Sequence, residues 1–412
     1  MSALKTRFSG DRGVLFQIAL KAGLLTALTL GIYRFWRIAR LRRYYWSAVR
    51  PGGHPLEYTG TGIEKLAGFC IAVIILAVIL LLVNMASIGA MIGLAEALPW
   101  WMATGVSFAP LVLIPLIYMA KYRMRAYMVS RTRWRGIRFG MSKGAWGYAW
   151  RACMYWLLSI MTFGLLWPLK TYQLEKYLTD RTWYGTARFT QFGGPFSLYG
   201  LFAAVPLAFI AGVAAIGWGV YSAGLTGLAD LTANSDLSFE AEQIVCFVMG
   251  GFFLLCSALF FINFNVAAVG LLASMKVLGD GVEFDLRPRV GKVISIYVFG
   301  NLISSILISL VSPVILGLVL LPLVFSGKVD PGLLFNQPAN IAALIAVLTW
   351  VTVFILYGVF REAFITFPLF KHVSQTFEIH EAELLETVRQ RDNDARREAG
   401  GFADALDVGA AF

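Results

Sequence analysis

From residue 66 to residue 90 the chain runs 25 residues without a charge, through "LAGFCIAVIILAVILLLVNMASIGA". A stretch that long and apolar is long enough to cross a bilayer as a helix, and in lipid its backbone polar groups must be satisfied internally. Seven further apolar stretches are long enough to weigh as helices, at about 14–33, 103–120, 145–169, 198–222, 244–275, 293–325 and 340–360. With 58% hydrophobic and 14% charged residues, the chain has too few polar groups to cover a soluble surface. The alternation expected of transmembrane barrel strands is absent from these stretches, so helices are the expectation.

The basic residues decide which stretches cross. If all eight cross, the connecting segments carry 17 Lys and Arg on one side and 16 on the other, which is no bias. If 14–33 and 145–169 dip in and return, 32 of the 35 basic residues share one side and Lys328 stands alone on the other, with Lys21 and Arg151 inside the dips. That asymmetry favours the second arrangement, with both termini on the basic, cytoplasmic side. The segment 34–50 then lies on that side as an interfacial helix, with Arg34, Arg37, Arg40 and Arg43 on one half of the wheel as candidate contacts for anionic headgroups.

The two dipping stretches belong to one repeated unit. "RFSGDRG" (7–13), "LTLG" (28–31), "LRRYY" (41–45) and "LEYTGTG" (56–62) are echoed by "RFGMSKG" (138–144), "IMTFG" (160–164), "LEKYL" (174–178) and "ARFTQFG" (187–193). The short alternating segments read as strands, and "TRFSG" with "LEYTG" is the expected pair in the first unit. A third, degenerate unit pairs "VEFDL" (282–286) with "QTFEI" (375–379) across the last two spans. The expected fold is an all-α polytopic membrane protein with about six transmembrane helices, two half-embedded segments (re-entrant or interfacial) and short cytoplasmic strand pairs. Its expected divisions are 1–130, 131–280, 281–380 and a charged tail, 381–412, readable in part as a short helix.

These units and the ending "GGFADALDVG" (400–409) resemble the YjgN-like family of bacterial inner-membrane proteins. The resemblance spans essentially the whole chain. It implies an inner-membrane location and brings no catalytic residue with it. The family's Pro-Trp-Ala after the "LTLG" glycine is replaced here by Tyr33-Arg34-Phe35-Trp36 in the first copy and Trp167-Pro168-Leu169 in the second.

Motifs for chemistry are missing. No nucleotide-binding loop, HExxH or GxSxG occurs, and the spacing of His54, His372 and His380 matches no common metal motif. The last two histidines read as part of a solvated cytoplasmic stretch. No cofactor is expected, and an enzyme is disfavoured. Cys70, Cys153, Cys246 and Cys256 lie inside apolar runs and read as free thiols.

Within the membrane the candidate polar site is Lys21, Arg151, Asn263, Asn265 and Asn301. Two functions follow as expectations: transport or channel activity toward a small solute, with an anion favoured, or organisation of anionic lipid or a cytoplasmic partner at the membrane surface. Small-residue spacing at Ala211, Ala215 and Gly219 suits helix packing or a homo-oligomer. Nucleic acid is a poor partner for a helix already lying on lipid.

Overall fold

Short strands alternate with helical excursions along the whole chain, and the strands find one another across it. The computed structural model describes residues 3–93, 109–230, 241–325 and 339–391. Its strands are β1 (Leu4–Phe8), β2 (Val49–Pro51), β3 (Leu56–Tyr58), β4 (Thr132–Trp134), β5 (Ile137–Met141), β6 (Thr182–Tyr184), β7 (Ala187–Gln191), β8 (Lys276–Leu278), β9 (Val282–Leu286) and β10 (Phe377–His380). They form one ten-stranded antiparallel sheet in the order β2-β1-β10-β9-β8-β7-β6-β5-β4-β3. The sheet is a nearly closed barrel, with its two end strands β2 and β3 joined by the turn at 52–55.

This corrects the all-α expectation. The fold is mixed, and the strands are a single ring rather than separate pairs. β1 pairs with β2 (Arg7 opposite Arg50) and β3 with β4 (Glu57 opposite Arg133), so "TRFSG" does not pair with "LEYTG". Only "VEFDL" meets its expected partner, with Phe284 opposite Ile379. The reason is physical: an alternating pattern assigns faces, not partners. The three-residue strands β2, β4, β6 and β8 are too short to announce themselves.

Because neighbours are antiparallel, the connections sort themselves onto two rims. The tight turns β2–β3, β4–β5, β6–β7 and β8–β9 lie on one rim, and every helical excursion leaves and returns through the other. At the β4–β5 turn Arg135 and Gly136 both take positive φ, +50° and +77°, the geometry that suits the right-handed twist of a two-residue hairpin.

The excursions are five. Two are helical hairpins: α1 (Arg12–Leu28) with α2 (Arg34–Ala48), and α5 (Ala145–Met161) with α6 (Trp167–Thr179). The other three carry longer helices: α3 (Gly62–Gly93) with α4 (Ala109–Ser130); α7 (Phe196–Phe202), α8 (Ala204–Asp230) and α9 (Ala241–Ser274); and α10 (Val290–Phe325) with α11 (Ala339–Arg361). A π turn (Glu362–Thr366) and α12 (Phe367–Gln375) lead from α11 into β10.

Among the described residues, five segments are long and apolar enough to cross a membrane: Gly62–Met85, Ala204–Ser222, Glu242–Ser274, Val290–Leu318 and Ile345–Gln375. The expected sixth, 103–120, lies partly outside the described residues, and the helix that continues it carries Lys121, Arg123 and Arg125. Large apolar side chains such as Leu81, Phe252 and Leu310 are exposed along these helices. Apolar surface of that extent is compatible with lipid and not with water. This is a membrane protein.

The barrel interior is a second, separate core. "RF" in β5 and β7 and "EF" in β9 place a charged residue outward and a phenylalanine inward, the two-residue period of a strand, while in β1 Thr6 lines the interior and Phe8 packs on Phe367 beside the first hairpin. Inside, rings follow one another: Trp134 to Tyr184 at 5.8 Å, Tyr184 to Phe139 at 4.6 Å, Phe139 to Phe189 at 6.5 Å, Phe189 to Phe284 at 5.6 Å and Phe284 to Phe377 at 5.9 Å. Such offset and tilted pairs are the favoured aromatic arrangements.

The residues after β10 close the turn-side rim. Ala382, Leu385 and Val388 are buried with Trp134, Tyr184 and Leu278. Thr186 and Arg389 exchange hydrogen bonds, the Thr186 N–H to the Arg389 carbonyl at 2.9 Å and the Arg389 N–H to Thr186 Oγ1 at 3.2 Å. The tail expected to be a helix is a 3₁₀ turn (Ala382–Thr387) and an extended strap up to residue 391, and "FADALDVG" lies outside the described residues.

Candidate functional site

The hairpins are the structure's most repeated feature. In the first, Thr26 donates to the Ala22 carbonyl and Thr29 to the Leu25 carbonyl, while Thr29 Oγ1 accepts the Tyr33 N–H at 2.9 Å. In the second, Ser159 donates to the Tyr155 carbonyl and Thr162 to the Leu158 carbonyl, while Thr162 Oγ1 accepts the Leu166 N–H at 3.3 Å. Both tips turn through two left-handed residues, Leu30 (φ 50°) with Gly31 (φ 92°) and Phe163 (φ 50°) with Gly164 (φ 85°). The glycine N–H reaches back to the Thr26 or Ser159 carbonyl, at 2.7 and 2.6 Å, which ends each helix with its last carbonyls satisfied.

At the hairpin bases Tyr44 donates to the Asp11 carbonyl and Tyr177 to the Gly144 carbonyl. Each of these pairs recurs at a separation of 133 residues. The tips themselves are bare: Leu30 is 95% exposed and Phe163 92%.

α2 does not lie as a lone helix along a surface. It is the return limb of the first hairpin, packed on α1, α3 and β3. Arg34, Arg40 and Arg43 are exposed, Arg40 over the Tyr33 ring at 5.5 Å. Arg37 instead turns into the protein and donates to the Gly358 carbonyl at 2.9 Å.

The intramembrane polar residues are dispersed. Lys21 is exposed on α1, in the hairpin that packs on α11. Arg151 donates to the Gly147 carbonyl and sits 4.7 Å from the Tyr177 ring, in the hairpin that packs on α4. Asn265 and Asn301 donate to the carbonyls of Phe261 and Tyr297, four residues back on their own helices. Asn263 is half-buried on α9. Among the described residues, no hydrogen bond or ion pair joins any two of the five.

What sequence reasoning missed lies at the helix-side rim. Three glutamates tie the excursions together, one between the two limbs of its own excursion and two to neighbouring excursions. Glu64, in the first turn of α3, accepts from Tyr127 at 2.9 Å and pairs with Arg131 at 3.2 Å. Glu362 accepts from Tyr45 at 3.0 Å. Glu175 on α6 takes both prongs of Arg125 from α4, at 3.0 Å each, and Lys276 from β8 at 2.6 Å. Burial pushes the Glu175 carboxyl up, but Arg125 and Lys276 outweigh it and hold it at about 2. The available signal was weak: a few acids set among many basic residues, such as Glu57 and Glu64 in 34–65 or Glu175 and Asp180 in 170–197.

His372 differs from its expectation as a solvated residue. It is buried and its Nε2 accepts the Arg289 N–H at 3.0 Å. All four cysteines are free thiols. Among the described residues no three of His, Cys, Asp and Glu gather as a metal site.

Residues 3–313 match a family described as a bacterial protein of unknown function (DUF898), in agreement with the YjgN-like resemblance of the repeated units. No curated protein and no solved structure matches. The match takes in both hairpins and nine of the ten strands, and on that extent the chain belongs to this family of bacterial proteins of unknown function.

Proposed function

We propose that this protein organises anionic lipid in the bacterial inner membrane, with its β-barrel and both termini on the cytoplasmic side. The observation that carries the reading is the pair of hairpins. Each leaves one sheet strand and returns to the next, so its base is held at the barrel and its tip is free. The limbs, 17 and 15 residues in the first hairpin and 17 and 13 in the second, are about 20–25 Å long, shorter than a hydrocarbon core of about 30 Å.

Leu28, Leu30 and Ile32 on one tip, and Met161, Phe163 and Leu165 on the other, are exposed apolar groups suited to a single leaflet. Lys21, Arg34, Arg40 and Arg43 on the first hairpin are exposed cations suited to headgroups. Transport of a small anion is the less supported reading, because Lys21, Arg151 and the three asparagines do not converge and Asn265 and Asn301 are satisfied within their own helices.

The experiment reverses Arg34, Arg40 and Arg43 to Glu and leaves Arg37 in place. Lipid retained by the purified protein is then measured by native mass spectrometry. Loss of phosphatidylglycerol and cardiolipin with phosphatidylethanolamine unchanged is expected; an unaltered lipid profile refutes the reading.

A further inference from the structure

The bore of the barrel is a site the hairpins do not use. A cavity of about 440 Å³ runs through the aromatic ring series, walled by Trp134, Phe139, Tyr184, Phe189, Phe284 and Phe377, with Leu385 of the C-terminal strap among its lining residues. A chamber of about 360 Å³ adjoins it toward the helix side; the two share Trp46, Leu56, Phe139, Phe189 and Lys276. The second chamber adds Arg125, Thr179 and Thr182. Both volumes fall within the range of small-molecule sites, about 300–1,000 Å³. The lower cavity is almost wholly apolar, so water filling it would find few partners, and an unfilled void forfeits the contacts of its walls.

Polarity is concentrated at one end. Arg125 and Lys276 face a single carboxylate, Glu175, which leaves one positive charge in excess at the mouth. No acidic residue lines either chamber among the described residues. Thr179, a residue 2% exposed, lines the same chamber, and its buried hydroxyl has no hydrogen-bond partner among the described residues. Deeper in, Thr6 and Trp134 line the apolar cavity, and the Thr6 hydroxyl and Trp134 Nε1, both buried, are likewise unpartnered among the described residues.

We infer that the barrel binds a single-chain amphiphile with an anionic oxygen head, its chain among the stacked rings and its head at Lys276, Arg125 and Thr179. The guest comes in from the helix side, where the chambers lie between α4, α6 and β8, because the strap at 382–391 covers the turn-side rim. A carboxylate and a phosphate share the chemistry this mouth recognises.

The test uses the full chain in phosphatidylcholine nanodiscs with dansyl-aminoundecanoic acid as fluorescent probe and empty nanodiscs as the blank. The wild type is expected to bind the probe saturably, and palmitate to displace it at least tenfold better than palmitate methyl ester. Displacement by palmitate and not by lysophosphatidic acid assigns a carboxylate head, and displacement by lysophosphatidic acid stronger than by palmitate a phosphate head. Lys276→Gln should bring acid and ester within threefold of each other, and Leu56→Trp, which narrows the junction of the chambers, should abolish displacement by both. Absence of saturable probe binding to the wild type, or equal displacement by an anionic chain and its neutral ester, overturns the inference without calling on any variant. Neither result depends on the hairpin arginines, so this site and the lipid-organising reading stand or fall separately.

Discussion

Arg125 grips Glu175 through two parallel hydrogen bonds of 3.0 Å, joining the last third of α4 to the middle of α6 directly above the first residue of β8. A planar guanidinium meeting a carboxylate in this way is both stronger and more directional than a single contact. With Lys276 at 2.6 Å from the same carboxylate, the cluster clamps the second hairpin to the barrel. Its three side chains are about a fifth to a third exposed, so water screens it only in part.

Glu175→Gln therefore leaves two cations facing each other in a half-buried site. Removing one partner from such a pair is expected to cost about 3 kcal/mol, read as a lowered midpoint of thermal unfolding in detergent. The Arg125→Lys variant should incur only part of that loss, because an ammonium keeps the charge but cannot make the two-pronged contact.

Acid should erase that difference. The Glu175 carboxyl is held at about 2, below its ordinary 4.5, so the unfolded chain takes up a proton at a pH where the folded protein does not. The stabilisation is complete above about 4.5 and is lost as the pH falls through about 2. Unfolding midpoints of the wild type and Glu175→Gln should converge across that window, and a gap that stays constant down to pH 2.5 contradicts the assignment.

The hairpin tips supply a second kind of test. A Cβ on Gly31 or Gly164 would meet nothing within 4 Å, yet both residues hold φ near +90°. Gly31→Ala and Gly164→Ala should each cost about 1 kcal/mol from backbone strain alone. The same size of effect at both positions, measured by thermal shift, is expected from tips built alike.

Arg37 should behave unlike the other arginines of α2. Its Nη2 is committed to the Gly358 carbonyl of α11, so Arg37→Ala removes a charged hydrogen bond worth about 1.5–3 kcal/mol. Stability should fall while retained lipid stays as in the wild type. The opposite pattern is expected for the reversal of Arg34, Arg40 and Arg43.

Topology can be read directly. With native cysteines replaced, single cysteines at Arg50 and Arg133, both on strands of the one sheet, should label from the same side of the membrane. Labelling from opposite faces is incompatible with hairpins that return.

Local chemistry in the chain was enough to identify the long apolar helices and the repeated unit with its matching glycines, but not that those glycines are hairpin tips. Hydropathy is summed along a continuous stretch, and charge asymmetry is counted loop by loop. "RF" and "EF" likewise carried the inward and outward faces of β5, β7 and β9. What only the tertiary structure decided was partnership: β1 with β10 from the far end of the chain, Arg37 with α11 rather than a headgroup, and three glutamates as the ties of the rim. Residues hundreds of positions apart pair because closing the ring satisfies edge hydrogen bonds and buries the aromatic faces together. That gain belongs to no single segment, and so no segment of the sequence displays it.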